Sequence, residues 1–248
     1  MLRNTFTIFR GIGPDREYAL WKSGIKTWTD LLNDRRCSPS RGHEITMAED
    51  ALLKSDARYF TRLISQSERW RLCYDFIQGA AFIDVELDGW SRHSEPVVIG
   101  VFAQGSFSSF VRGDNLSAVS ILRKIGAATM LVSFNGARHD MHYINTVIPG
   151  ICLRYPVVDI VAMARKAGLS GGLKSVERRL NIRRNRFVEL SANGRAVELW
   201  HIWKKKRSRG ALNLLKMYNM EDTCNLLPVS ESIRDILYAK TTGGLLDG

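Results

Sequence analysis

Asp84 and Glu86 lie two residues apart within the apolar stretch AAFIDVELDG (residues 80–89), whose composition indicates a buried strand. Residues i and i+2 of a strand share one face, so the two carboxylates would repel each other and lose solvation unless a positive charge meets them. A divalent cation is one such partner, because hard cations such as Mg²⁺ take oxygen ligands. The alternative is an exposed strand end whose acids are solvated.

Two later stretches carry further groups of the same kind. VSFNGARHDMHYI (residues 132–144) indicates a buried strand, an Asn135-Gly136 turn and a helix start that carries Asp140. MYNMEDTCNL places Tyr218 and Asp222 four residues apart, which is one face of a helix. A tyrosine hydroxyl beside a carboxylate–metal cluster can orient a water nucleophile. Taken singly, an acid at a helix start also stabilises the helix, and Tyr-x₃-Asp is common.

The order of these stretches resembles the three motifs of the DEDD 3′–5′ exonuclease superfamily, in its DEDDy branch. FIDVEL, VSFNGARHDMHYI and YNMEDTCNLL are similar to the first, second and third motif, and PVVDIVAMAR and LKSVE are similar to segments of the YprB-type ribonuclease H-like domain. The resemblance covers roughly residues 80–237. Two features depart from the family: Leu87 and Asp88 follow Glu86 where small hydroxyl residues and a glycine are usual, and His139 replaces an aromatic or apolar residue.

The resemblance implies a ribonuclease H-like fold and a nuclease that works as a 3′–5′ exonuclease with two Mg²⁺ or Mn²⁺ ions. It implies that a single-stranded end of DNA or RNA is the substrate. Residue by residue, Tyr218 would position the attacking water, and the metal ligands would be Asp84, Glu86, Asp140 and Asp222. An inactive nucleic-acid-binding module of the same fold remains the alternative. Asp159 is either an accessory acid or a structural N-cap, and Glu177 is expected to be structural.

The composition agrees with a nucleic-acid partner. The 248 residues carry a net charge of +11 and a pI of about 9.7, which favours polyanionic partners. No apolar run approaches the ~20 residues that cross a bilayer, and the N-terminus lacks a signal-peptide pattern. The four cysteines form no CxxC pair, so we expect reduced thiols in a cytoplasmic protein. Nothing indicates an obligate protein partner or a membrane association.

Two basic runs precede the third motif. RRLNIRRNR (residues 178–186) supplies five arginines. HIWKKKRSRG (residues 201–210) supplies five residues that we expect to contact backbone phosphates: Lys204, Lys205, Lys206, Arg207 and Arg209. The alternative is that this run is a solvated loop. Asn135, in the turn of the second motif, is a further candidate for nucleic-acid contact. Trp200 and Trp203 could stack on bases, although core packing is the simpler interpretation.

The N-terminal stretch RGIGPDREYALWKSGI resembles half of a helix-hairpin-helix element. Its Gly11 and Gly13 could present backbone N–H groups to a phosphate. The alternative is a small module that only packs against the nuclease domain. We therefore divide the chain into a helix-hairpin-helix-like element (1–36), a linker and helical connector (37–79) and a ribonuclease H-like domain (80–240).

The periodicities predict an α/β fold, with a ribonuclease H-like mixed five-stranded sheet flanked by helices and a small helical N-terminal element. The predicted strands are 81–87, 97–103, 107–112, 130–134 and 157–159. The predicted helices of this domain are 116–125, 141–147, 160–167, 173–180, 211–226 and 229–239. Residues 35–44 are predicted as a linker, residues 46–78 as helical, and the final TTGGLLDG as a frayed tail.

Overall fold

A mixed β-sheet forms the centre of the C-terminal two-thirds of the chain. The computed structural model describes residues 1–35, 37–91, 93–136, 140–192 and 194–247. The sheet has the order β3-β2-β1-β4-β5, in which β1 pairs antiparallel with β2 and parallel with β4. The five-stranded mixed sheet is confirmed, and each strand end lies within one residue of its predicted position. The strands are β1 Ala81–Leu87, β2 Pro96–Ala103, β3 Ser106–Val111, β4 Leu131–Ser133 and β5 Val157–Asp159.

Helices cover both faces of this sheet and build the N-terminal part of the chain. Short 3₁₀ turns lie at Leu2–Asn4, Gln66–Glu68 and Ile77–Gly79. Within the described ranges, no helix is both long and apolar enough to cross a membrane. The helices are α1 Pro14–Lys22, α2 Trp28–Asn33, α3 Pro39–Leu53, α4 Ala57–Leu63, α5 Trp70–Phe76, α6 Ala118–Ile125, α7 Asp140–Val147, α8 Ile151–Arg154, α9 Ile160–Ala167, α10 Leu173–Arg179, α11 Arg186–Ala192, α12 Ala196–Lys206, α13 Arg209–Cys224 and α14 Leu226–Thr242.

The alternation of side chains along β1 decides what each face of the sheet meets. Ile83 points into a buried cluster formed with α6, α7 and α8. Phe82, on the opposite face, belongs to a cluster shared with α9, α14 and the N-terminal helices. Asp84 and Glu86 share the face of Phe82 because they follow it at two-residue spacing. The acids of β1 therefore point away from α6, α7 and α8.

The residue types at both ends of α1 explain where this helix begins and ends. Pro14 occupies the first turn of α1, and Gly24, with a φ of 90°, lies just beyond its end. Ile25 N donates to Leu20 O (3.0 Å), which closes the helix end. A buried ion pair between Glu17 and Arg71 (2.8 Å) ties α1 to α5. The buried apolar cluster runs without a break from these helices to the sheet.

Three local predictions in this part of the fold are wrong. The linker predicted at 35–44 contains the start of α3, because Ser38 caps that helix by accepting from Arg41 N (3.3 Å). The helical stretch predicted at 46–78 is interrupted, since Ser55 has a φ of 54° and Asp56 caps a new helix. Leu53, at the end of α3, is 78% exposed. The predicted frayed tail packs, because Leu245 and its neighbour Leu246 contact the core.

Candidate metal centre

Strand β1 and helix α13 bring three carboxylates together. Asp84 and Glu86 lie on the face of β1 that α13 covers, and Asp222 comes from the last turns of α13. One carboxylate oxygen of each residue lies within 4.8 Å of one oxygen of the other two. The predicted grouping of these three acids therefore exists in the folded chain.

The close approach of α13 depends on a glycine in the neighbouring strand. Gly100 of β2 lies directly opposite Asp84 in the antiparallel register. A Cβ atom on Gly100 would overlap Asn219 Oδ1 and Thr223 Oγ1 of α13. The missing side chain thus leaves room for the helix to pack on the strand at the level of the acids.

Asn219 holds one of the carboxylates in place. Its side chain is fully buried, and its Nδ2 donates to Asp84 Oδ2 (2.8 Å). Asn219 is not among the site residues predicted from the sequence. The signal was present, because Asn219 lies three residues before Asp222 and so shares its helix face.

Asp140 stands at the first position of α7 and outside the three-acid cluster. Its charge nevertheless reaches the cluster, where it raises the pKa of Asp84 and of Glu86. Burial and the charge of Asp159 raise the pKa of Asp140 itself to about 7. The preceding turn needs a glycine, since a Cβ on Gly136 would lie 2.9 Å from Asp140 Oδ2.

Two other residues noted in the sequence, Asn135 and Asp159, are hydrogen-bonded to each other at this turn. Asn135 has a φ of 61°, as expected for a turn, and its side chain is exposed. Its backbone N–H donates to Asp159 Oδ1 (2.9 Å). Asp159 also caps α9 by accepting from Val161 N (3.0 Å), so it is the structural N-cap. His139, noted as a departure from the family, lies outside the described residues.

The electrostatics of the cluster favour a bound cation. Burial, followed by the charges of Glu86, Asp222 and Asp140, raises the pKa of Asp84 well above its usual value. Burial and the charges of Asp222 and Asp140 raise the pKa of Glu86 to about 8. A divalent cation would relieve this repulsion, and carboxylate oxygens are the ligands that Mg²⁺ and Mn²⁺ prefer. The donor set therefore fits such an ion.

Tyr218 lies one helical turn before Asp222 and is paired with a lysine of α10. Lys174 Nζ donates to the Tyr218 hydroxyl oxygen (2.9 Å) and lies 4.4 Å from the ring centre. Burial and the nearby acids raise the pKa of Tyr218, so it stays a neutral phenol. Both side chains, together with Asp222 and Arg178, line a cavity of about 370 Å³ beside the cluster.

Asp222 is also tied to a buried arginine. Arg184 forms an ion pair with Asp222 and a bidentate pair with Glu177 (2.6 and 2.8 Å). Glu177 is only 1% exposed and accepts a further hydrogen bond from Asn225 Nδ2 (2.9 Å). Glu177 is thus a structural acid, as predicted, and Arg184 links it to the cluster.

The predicted phosphate-binding lysines and arginines lie outside the three-acid cluster, although Lys204 and Arg207 line a cavity of about 620 Å³ with Asp88, which follows Glu86 by two residues. Lys204, Lys205 and Lys206 form the exposed last turn of α12, and Arg207 and Arg209 flank the turn into α13. At ~1.5 Å per residue, Arg209 lies about 14 Å along α13 from Tyr218 and about 20 Å from Asp222. The structure therefore does not bring this run into the acidic cluster.

The other predicted contact residues lie in or against the apolar core, or at the surface of the N-terminal element. Trp200 is 5% exposed and belongs to the core, whereas Trp203 is half-buried under Arg207. Gly11, with a φ of 78°, and Gly13, which caps α1, are both exposed in the N-terminal element. A role of either glycine in phosphate binding stays a prediction.

Comparison with known families places the fold and the cluster in one class. A family model described as RNase_H superfamily matches residues 81–234. The match spans more than half of the chain, which therefore belongs to this superfamily. It includes the three clustered acids and Asp140. No curated protein and no solved structure gives a significant match. An RNase H-like domain implies a nucleic-acid substrate, and RNase H-like nucleases use divalent metal ions.

Proposed function

We propose that the protein is a metal-dependent nuclease, and specifically a 3′–5′ exonuclease of the DEDDy branch with a YprB-type domain. The observation that carries the proposal is the meeting of Asp84, Glu86 and Asp222 within 4.8 Å, with Tyr218 one helical turn away. The exonuclease assignment rests on the resemblance of the three motifs. The nuclease class rests on the superfamily and on the acidic cluster.

In this proposal the carboxylates hold two Mg²⁺ or Mn²⁺ ions. Asp84, Glu86 and Asp222 supply the clustered oxygens, and Asp140 supplies the fourth carboxylate from the start of α7. When bound, the ions supply the positive charge that hydrolysis of an anionic phosphodiester requires. No side chain of this site has to form a covalent bond with the substrate.

The neighbouring residues position the reacting groups. Tyr218 orients the attacking water through its neutral hydroxyl. Lys174 Nζ donates to the oxygen of that hydroxyl, which leaves the phenol hydrogen free to reach another acceptor. Asn219 keeps one oxygen of Asp84 engaged, so that the orientation of this carboxylate is fixed.

An exposed tryptophan in the connection that follows β1 supports an unpaired end as the substrate. Trp90 follows Glu86 by four residues, in the connection between β1 and β2, and is 88% exposed. An exposed aromatic face can stack on a base that is not paired. The net charge of +11 favours a polyanion of either type, DNA or RNA.

The test is cleavage of end-labelled single-stranded DNA and RNA with Mg²⁺, Mn²⁺ or EDTA. Wild type should produce a ladder that shortens from the 3′ end, only when metal is present. Asp84→Asn should reduce cleavage to the level seen in EDTA, because it removes one carboxylate of the cluster. Asp114→Asn is the matched control, since Asp114 is an exposed acid outside the cluster.

Two results would contradict the proposal. Equal cleavage by Asp84→Asn and wild type would show that the cluster is not the active site. Salt-sensitive binding without any cleavage, by wild type and variant alike, would instead support the inactive nucleic-acid-binding module.

A further inference from the structure

A second basic surface lies directly beside the acidic cluster, on α10 and the segment that leads to α11. The cavity at the cluster is lined by Lys174, Arg178, Tyr218 and Asp222, among others. An adjoining cavity of about 510 Å³ is lined by four basic residues, Lys174, Arg178, Arg183 and Arg184, and by the two acids Glu177 and Glu189. Because Lys174 and Arg178 line both, the second cavity continues the first and leads away from the three clustered acids.

The arginines of this surface are available to an anionic ligand. Arg178 and Arg183 are both exposed, and neither forms a salt bridge with any residue that the structure describes. Arg178 Nε donates to the backbone oxygen of Lys174 (3.2 Å), which places the guanidinium at the rim shared by the cavities. Arg184, by contrast, is already engaged by acids.

Helix α11 adds an exposed apolar face to these charges. Phe187 is 62% exposed and Leu190 is 74% exposed, and their spacing of three residues puts them on one side of the helix. Val188 is buried among residues of α12 and α13. An aromatic ring flanked by arginines suits a ligand that combines phosphates with bases.

The position of α11 relative to the acids is fixed by hydrogen bonds. Asn185 N donates to Glu221 Oε1 of α13 (2.7 Å), and the side chain of Asn185 caps α11 by accepting from Phe187 N (2.9 Å). Glu221 is the residue before Asp222. The aromatic face is therefore attached to the same helix turn that carries an acid of the cluster.

The α10–α11 surface has the more direct contact with the cluster: Lys174 and Arg178 line a cavity with Asp222, whereas Lys204 and Arg207 line one with Asp88 and with none of the three clustered acids. Arg183 directly precedes Arg184, which contacts Asp222. Arg209, in the other basic run, lies about 20 Å along α13 from the same acid. A chain whose end occupies the cluster would meet the α10–α11 surface at the cavity that Asp222 lines.

We propose that single-stranded nucleic acid reaches the acidic cluster across this surface, defined by Lys174, Arg178, Arg183 and Phe187. Backbone phosphates lie on the two arginines, and an unpaired base stacks on Phe187. The inference rests on the proposed function, because it takes the cluster as the place of cleavage. It adds the path by which the substrate reaches the cluster and the residues that contact it.

Binding of a fluorescent single-stranded oligonucleotide of about 15 nucleotides, measured by anisotropy in EDTA, tests this path without cleavage. The double variant Arg178→Glu/Arg183→Glu should bind at least ~10-fold more weakly, and its slope of log K against log salt should be shallower by about 1.4. Arg123→Glu/Arg154→Glu is the matched control: it makes the same charge change at exposed arginines of α6 and α8, whose buried side chains pack on the opposite face of the sheet. The control should keep the affinity of wild type.

The aromatic contribution needs its own pair of variants. Phe187→Ala should weaken binding by roughly 5- to 150-fold, the range expected for loss of one stacked base. Phe187→Trp should keep the affinity, because it preserves a stacking face. Equal binding by Phe187→Ala and wild type would overturn the stacking role.

Three further results would distinguish an error in the proposed substrate path from an error in the proposed nuclease function. Unchanged affinity of Arg178→Glu/Arg183→Glu, with loss of binding in Lys204→Glu/Lys205→Glu, would overturn the proposed path while leaving a cleaving enzyme intact. Loss of binding in Arg178→Glu/Arg183→Glu, in a protein that never cleaves with metal, would support the path and overturn the nuclease. A wild type that binds no oligonucleotide would overturn both.

Discussion

Replacing Glu86 with glutamine is expected to stabilise the metal-free protein at neutral and alkaline pH. Burial and the charges of Asp222 and Asp140 raise the pKa of Glu86 from 4.5 to about 8. Between these values the folded protein keeps a proton that the unfolded chain has released. The free energy of unfolding therefore falls as the pH rises through this range. The amide of the Glu86→Gln variant does not titrate and escapes this loss.

The size of the effect follows from the width of the range. One linked proton changes the free energy of unfolding by about 1.4 kcal/mol per pH unit, or roughly 3 kcal/mol between about pH 5 and pH 7. Glu86 is half-buried, so solvent screening reduces this figure. We expect Glu86→Gln to gain about 1–2 kcal/mol on wild type over this interval. For a chain of this size that is a shift in Tm of about 2–8 °C.

Urea unfolding followed by circular dichroism, in EDTA from pH 5 to pH 8, measures this difference. Glu189→Gln serves as the control, because Glu189 is an exposed acid outside the cluster. Addition of Mg²⁺ or Mn²⁺ should stabilise wild type, since an ion that binds only the folded state raises its stability. It should stabilise Glu86→Gln less. Parallel pH profiles for wild type and Glu86→Gln in EDTA would refute the electrostatic repulsion on which the metal site is argued.

Two further predictions concern the contact between α13 and the sheet. Asn219→Ala should lower the affinity for Mn²⁺ by about 10- to 100-fold in calorimetry, because Asp84 loses the donor that orients it; an unchanged affinity would show that Asn219 does not position this acid. Gly100→Ala should destabilise the protein by roughly 1–3 kcal/mol in urea, because its Cβ would overlap α13. Gly210→Ala in α13 is the control, because its Cβ would meet only Ser208 Oγ at 3.9 Å and alanine favours a helix; it should lose no stability in the same assay, and equal stability of the two variants would contradict the predicted overlap.

The strands of the sheet were predictable because their signals are local. Short apolar runs bounded by turn residues gave β1 and β5 their observed bounds and the other strands bounds within one residue. Local signals misled where a turn and a helix start use the same residues. Ser38 and Pro39 fall within the predicted linker, whereas together they begin α3. The final residues contain glycines and were expected to fray, yet Leu245 and Leu246 find a core to pack on.

The candidate site was predictable only in part, because a local pattern shows which residues share a face and not which faces meet. Strand and helix periodicity place Asp84 with Glu86 on one face and Tyr218 with Asp222 on another. Neither periodicity says that the two faces meet. The two faces can meet because Gly100 has no side chain. This space matters only in the folded chain, where α13 packs over β2.

The two basic runs also differ in a way that the tertiary structure shows and the sequence does not. Their composition is similar, and nothing in the order of residues ranks one above the other as a substrate contact. In the folded chain, Arg184 reaches Asp222, while Arg209 begins α13 at the end away from that acid. The type and spacing of residues thus define the chemistry that this chain can perform and the elements that carry it. Which of those elements adjoin depends on the packing of side chains distant in sequence, and no local pattern encodes that packing.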